Sequence, residues 1–451
     1  MPDATKTLSH ARPPHQEQST DSQWSVAFIG LVLFMLFYYL SPEDYIPGLQ
    51  GAGLNKIAGA IALIAVVIKN VGQGRPWMDF SRESTLLLIF IAVLAIGIPF
   101  SYWPGGSWTI FTEKMLKTVL FVLLLTNIIT SVRQLKTLVH VIVACAIIIA
   151  LVSINHYFTG MVDRWGRLIG YGEKEYSNPN DLALGLLTII PLTFLLILEA
   201  RTIFRRCIYA GAIVLMILAI LFSMSRTGMI GLVFLGGVWL LAIGRKNFAK
   251  AVAIIVVMTT VLFAAASTFP VFVDRFASIF DESSKDDLGS RAARLEHMLD
   301  GAMIMVENPV FGVGMGQSME AVYRRHGSRG AHWEQIHNVY LQVGAEAGII
   351  ALLLFVGMIY SESARLRTAE MDLRQRADLS MVKRLQCMRV AILTFVICAN
   401  FSPVAYNWFF YILLGLSGAL LKLVVPPHAV AKAFDSKSSS EVGLKLSALR
   451  T

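Results

Sequence analysis

The residues best suited to chemistry in this sequence are arginines and histidines at the margins of apolar runs. Arg226 stands in Ser225-Arg226-Thr227-Gly228, with an apolar run on either side. A charge at the edge of a bilayer is costly and by default marks function, although an interfacial arginine also snorkels to headgroups. Arg164 and Arg167 lie in one polar stretch; Arg275, Arg291, Arg294, Arg324, Arg325 and Arg329 lie in a longer one. A guanidinium is planar, permanently charged and able to hold two oxygens at once, which suits phosphate and diphosphate. The bland alternative is a solvated loop balanced by Asp281, Glu282, Asp286 and Asp287. His326, His332 and His337 close the longer stretch. They form no His-Glu-x-x-His pattern and have no cysteine nearby, so no metal is expected. His337 directly precedes an apolar run, in Ile336-His337-Asn338-Val339-Tyr340. Imidazole titrates near neutral pH and can take the proton of an attacking hydroxyl, though a lone histidine serves structure as readily. Glu346, inside that run between Gly344 and Gly348, needs a partner, either Arg226 or another arginine. Its small neighbours suit close helix packing.

These side chains must be positioned by membrane-spanning helices. The chain is 55% hydrophobic and 15% charged, against about 25% charged in soluble proteins. Its mean hydropathy is +0.62. Candidate apolar cores of spans, several of them shorter than the about 20 residues that a full span takes, occur at Trp24–Leu40, Leu54–Ile68, Thr85–Trp103, Met115–Ile129, Leu138–Phe158 and Leu182–Leu198. Six more follow at Cys207–Met224, Met229–Ile243, Ala251–Phe269, Val339–Tyr360, Val390–Phe401 and Phe409–Val425. The expected fold is an all-α integral membrane protein with about twelve transmembrane helices. The first apolar run begins too late for a cleaved signal and reads as a retained span. Cys145, Cys207, Cys387 and Cys398 all fall in or beside apolar runs, which excludes a disulfide framework.

The net charge of +9 is spread over short loops rather than clustered on one module, which argues against nucleic acid and for the positive-inside rule. Alternate loops are basic, including Arg133 with Lys136, Arg201 with Arg205 and Arg206, and the segment from Arg365 to Arg384. The opposite loops are not: Ser41–Gly53 has Glu43 and Asp44 but no cation, and Ser402–Asn407 has no charge. Both termini are therefore expected in the cytoplasm. The chain divides into a cytoplasmic tail at 1–23, nine spans over 24–269, a large periplasmic loop at 270–337, three spans over 338–425 and a second tail at 426–451. Within the large loop, Ser290–Val306 reads as an amphipathic helix with Ala292, Leu295, Met298 and Ala302 near one face, closed by Pro309. Phe311–Gly316 reads as a turn.

Taken together, the Ser225–Gly228 turn, Ser290-Arg291 followed by Asn308–Gly314, the pair His337-Asn338 with Tyr340-Leu341 and Glu346–Gly348, and Asn178-Pro179-Asn180 give the chain a resemblance to the bacterial O-antigen ligase and O-antigen polymerase family. The matching motifs cover roughly residues 175–360. The resemblance implies a GT-C-like glycosyltransferase that takes a glycan from an undecaprenyl-diphosphate donor at the periplasmic face of the inner membrane, with no cofactor. By resemblance, His337 is the base that activates the acceptor hydroxyl. Arg226 and Arg291 bind the donor's diphosphate. Arg294 is the alternate to Arg291, because Arg-Ala-Ala-Arg allows two registers and Glu296 and His297 follow where the family tends to have an aromatic. Asn338, Tyr340, Glu346, Arg164 and Arg167 are expected in support.

The leading function is an O-antigen ligase joining lipid-linked polysaccharide to a lipid A–core hydroxyl by metal-independent, inverting transfer. A polymerase or a protein O-oligosaccharyltransferase would share its donor site and differ in acceptor. A flippase is the reading from another class. It would favour internal repeats and ionisable groups near mid-membrane, whereas this chain has no repeat and its informative charges lie at one edge.

Overall fold

The structure, a computed structural model, describes residues 24–163, 167–172, 175–244, 285–326 and 335–424. Among these it is all-α; the one β pairing is an isolated bridge between Val162 and Leu168. Six helices are long and apolar enough to cross a membrane. These are α2 (Leu54–Gly72), α3 (Arg82–Gly97, extended by a 3-10 turn to Phe100), α6 (Val132–Phe158), α7 (Pro179–Glu199), α8 (Ile203–Phe222) and α12 (Val339–Gln375). The helices α1 (Val26–Leu40), α9 (Arg226–Gly244) and α14 (Phe409–Val424) are apolar but shorter. Helix α4 (Pro104–Ile110) runs through a π-helical segment, Phe111–Met115, into α5 (Leu116–Ile128). Two helices, α10 (Lys285–Glu307) and α11 (Ser318–His326), lie in the long polar stretch, and α13 (Leu379–Cys398) precedes α14. The apolar core at 251–269 lies outside the described residues.

Burial identifies the inside of the bundle. Every residue of α14 from Phe409 to Leu421 is buried, as expected for a helix apolar on all sides. Helix α2 sits at the periphery: Ile57, Ile61, Ile64 and Ile68, at helical spacing, are all exposed. A stripe of large apolar side chains turned outward is stable only against lipid. Because lipid is as apolar as leucine, close packing must hold the helices together. Accordingly a Cβ on Gly30 would lie 3.0 Å from Ala62, and one on Gly231 would lie 2.7 Å from the Cys398 sulfur.

Two charged boundaries are longer helices than the apolar pattern predicts. The span beginning at Val339 stays helical to Gln375, and the last span but one begins at Leu379 rather than Val390. Residues 361–378 hold neither glycine nor proline, and Arg374 pairs with Glu370 one turn away. The loop between these helices is only Arg376–Asp378. At this end the basic residues meet carboxylates: Glu199 forms ion pairs with Lys136 at 2.8 Å and Arg384 at 2.7 Å, Lys422 reaches Asp79 at 2.7 Å, and Arg365 pairs with Glu83.

Candidate functional site

At the opposite end of the bundle, two helix starts converge on the end of α13. The first is α9. Ser225 accepts a hydrogen bond from the Gly228 backbone N–H at 3.2 Å and donates its hydroxyl to Asn180 Oδ1 at 2.8 Å. Asn180 belongs to the first turn of α7, which Asn178 caps by accepting from the Asn180 N–H at 2.8 Å, with Pro179 at the first helical position. The Ser-Arg-Thr-Gly and Asn-Pro-Asn motifs are thus the two halves of one hydrogen-bonded junction. Gly228 is required there, since a Cβ would lie 2.9 Å from Ala183. Arg226, half-buried, is the first residue of α9.

The second start is α12. Asn338 caps it, with Oδ1 accepting from the Tyr340 and Leu341 N–H groups at 3.0 Å each, while its Nδ2 donates to the Asn400 carbonyl at 3.3 Å. The Tyr340 hydroxyl donates to the Val396 carbonyl at 3.3 Å. Asn338 and Tyr340 therefore fasten the helix start to α13, and His337, half-buried, sits one residue ahead of the cap. On its other flank α13 touches the first helix start, where the Cys398 thiol approaches the Thr227 carbonyl at 3.9 Å. The residues next to Arg226 and His337, far apart in sequence, thus both contact the C-terminal end of α13 and the 3-10 turn Ala399–Phe401 that follows it.

Glu346 takes neither arginine as partner. Buried within α12, its carboxylate accepts from the Gly316 N–H at 2.9 Å, the Ser318 N–H at 3.3 Å and the Ser318 hydroxyl. The small residues around it serve both close packing, since a Cβ on Gly344 would lie 2.3 Å from the Met305 sulfur of α10, and a break in the helix. Gly348 has φ 82°, and the helix is interrupted there. The Ala345 and Glu346 carbonyls accept instead from the N–H groups of Val313 and Gly314 at 2.9 Å each, and the Ile349 N–H donates to the Pro309 carbonyl at 2.8 Å. The run read as a turn, Phe311–Gly316, is the strap that supplies these donors. Irregular backbone at a span is tolerated when protein satisfies it in this way.

The remaining predicted residues are dispersed. Arg167 is committed to Asp163, its Nε donating at 2.7 Å; Arg164 lies outside the described residues. Arg291 and Arg294 both fall on α10, three residues apart and so on one side of the helix; their side chains lie outside the described residues. So do Arg275, Arg329 and His332. Arg324 donates to Glu320 at 2.6 Å and lies 4.8 Å over the Tyr102 ring. Arg325 donates to Glu307 at 2.8 Å, and that carboxylate raises the guanidinium pKa further. His326 bonds Asp300 at 2.8 Å. Among the described residues, Arg324 and Arg325 are thus balanced by carboxylates of α10 and α11.

Two features at this end escaped the motif reading. Lys114, in the π-helical segment, reaches Glu175 and Asn407 at 3.4 Å each. π-Helical turns are enriched at functional sites, and Lys114 is a further cation on the side short of them. The charge-free loop 402–408 packs on α12: the Ala405 N–H donates to Gln342 at 3.1 Å, and Tyr406, its pKa raised by burial and by the Glu346 carboxylate, lies beside that acid.

Residues 211–356 match the family model described as O-antigen ligase. The matched segment runs from α8 to the middle of α12 and contains Arg226, His337 and Glu346. No curated protein matches the chain.

Proposed function

We infer, from the match of residues 211–356 to the O-antigen ligase family model, that the chain is a ligase-type glycosyltransferase that transfers a lipid-linked polysaccharide to a lipid A–core hydroxyl at the outer face of the inner membrane. The observation that supports this reading is that the two helix starts carrying Arg226 and His337 meet the same end of α13, Thr227 at Cys398 and Asn338 at Asn400 just beyond it. The short basic loops lie at the other end, so this end is read as the periplasmic one by the positive-inside rule, which counts short loops.

The donor is an undecaprenyl-diphosphate glycan. Its leaving group is already good, so the main demand is stabilising the departing diphosphate. Fixed guanidinium groups meet that demand in a partly dry site. Arg226 is the first such group, and Arg291 or Arg294 on α10 the second. His337 takes the proton of the acceptor hydroxyl as its oxygen attacks the anomeric carbon. The bond to the diphosphate oxygen breaks on the opposite side, which inverts that carbon. The chemistry places no demand on a metal, because arginine supplies the positive charge. Asn338, Tyr340 and Glu346 hold the machinery without entering the reaction.

Complementation tests the reading. Expression in a strain lacking its O-antigen ligase should restore long chains on lipid A–core, seen on a lipopolysaccharide gel. Restoration only in a polymerase-deficient strain would contradict it and make the acceptor a second lipid-linked glycan.

A further inference from the structure

Helix α10 is amphipathic in the wrong sense for a helix surrounded by water. His297, Asp300 and Ile304 are buried, whereas Leu295, Leu299, Met303 and Val306 are 60%, 53%, 46% and 74% exposed. Val310, just past the helix, is 50% exposed. Steps of four and three residues set these apolar side chains in one row. A soluble protein rarely turns such a row outward while burying histidine and aspartate.

Its neighbours fix the depth of the C-terminal end. The Pro309 carbonyl accepts from the Ile349 N–H at 2.8 Å, and Phe311 stacks on Phe100 at 4.3 Å. Both contacts can be measured from the Glu83–Arg365 pair, which joins α3 to α12 at the basic end. Gly348 precedes Arg365 by 17 residues (365 − 348), and Phe100 follows Glu83 by 17 (100 − 83). At about 1.5 Å per helical residue either path gives about 25 Å. The hydrocarbon core of a bilayer is about 30 Å thick. Two helices thus independently place Pro309–Phe311 just inside the outer edge of that core. Phe100, Trp103 and Trp108, 59%, 64% and 57% exposed, ring the same level, as aromatic residues do at a membrane interface.

We infer that α10 is an interfacial membrane helix whose C-terminal end enters the outer leaflet, with Val306 and Val310 against the acyl chains and Met303, its sulfur 2.8 Å from the Arg325 guanidinium, at the charged edge of the row. Leu299 and Leu295 rise from there through the headgroup layer. The long polar stretch is thereby anchored in the bilayer at its lower end. Ile349, Ile350 and Leu353 of α12, beside the Pro309 contact, are exposed as well, so the occupant of this surface is bilayer lipid.

Site-directed fluorescence tests this in the full-length protein in phospholipid vesicles. Of the four cysteines only Cys207 is exposed, so Cys207→Ser leaves three buried thiols out of reach of the dye. A bimane label at Val306→Cys or Val310→Cys should be quenched about twofold or more by lipids brominated on the acyl chain and protected from aqueous iodide. A label at Glu296→Cys, about 15 Å further up the helix than Val306 and toward water, should show the reverse. Using both Val306 and Val310 guards against one substitution that fails to fold. Iodide quenching at 306 and 310 equal to that at 296, with no effect of the brominated lipids, would overturn the inference.

Discussion

His337 owes its position to its neighbour. Asn338 spends its oxygen on two N–H groups of α12 and its amide nitrogen on Asn400. Asn338→Ala should lower stability in detergent by about 1–2 kcal/mol, seen as a lower melting temperature, and reduce transfer because the histidine loses its mount. Asn338→Asp restores the cap but not the bond to Asn400, so it should recover most of the stability. Glu346 makes a second residue-scale case. Glu346→Ala leaves buried donors at Gly316 and Ser318 unmatched, which costs about 1–3 kcal/mol. Glu346→Gln keeps an acceptor and should melt between the two. The sequence singled out both residues. It marked Glu346 because a carboxylate in a span needs a partner. The partner it suggested was an arginine, whereas the structure supplies backbone N–H groups from a strap some thirty residues earlier. No local pattern could identify them, because the pairing depends on how the strap folds back.

Helix starts and breaks set the geometry at the next scale. The Ser225–Asn180 hydrogen bond shows how two motifs, each weak alone, become one junction between α7 and α9. Asparagine and proline at 178–180 have the chemistry of a helix start, whereas Ser225–Gly228 reads only as a turn between two spans. That Ser225 bonds Asn180, in the first turn of the other helix, was not legible. The break in α12 was missed because glycines beside alanine suit tight packing as well as a kink. Gly348→Ala decides between these. The new Cβ would lie 2.2 Å from the Val310 carbonyl at φ 82°, so a loss of roughly 2 kcal/mol or more is expected, read as a lower melting temperature. Gly357, on the same helix, has nothing within 4 Å of a Cβ. Gly357→Ala should be neutral or stabilising by up to about 1 kcal/mol. Equal effects at the two glycines would argue against a built break.

Across the whole molecule the apolar pattern was the most legible feature, since membrane thickness imposes a length on every span. The six long apolar helices each fall on an expected core. The pattern failed where charged residues prolong a helix beyond the lipid, as from Ser361 to Gln375, because hydropathy reports the solvent rather than the backbone. Orientation is a further whole-molecule expectation. With basic loops at one end, fluorescent reporters fused to either terminus should shine from the cytoplasmic side. A reporter at either terminus that works only in the periplasm would reverse the assignment of faces.

The central claim is that His337, whose helix start meets the same end of α13 as that of Arg226, is the base of a glycosyl transfer. The direct measurement is transfer from an undecaprenyl-diphosphate-linked oligosaccharide to rough lipopolysaccharide in proteoliposomes, comparing wild type with His337→Ala, each first shown to melt at the same temperature. The account predicts product with wild type and a loss of about 10²–10⁴-fold in rate with His337→Ala, while binding of the donor is retained. A His337→Ala protein that transfers at the wild-type rate would contradict it.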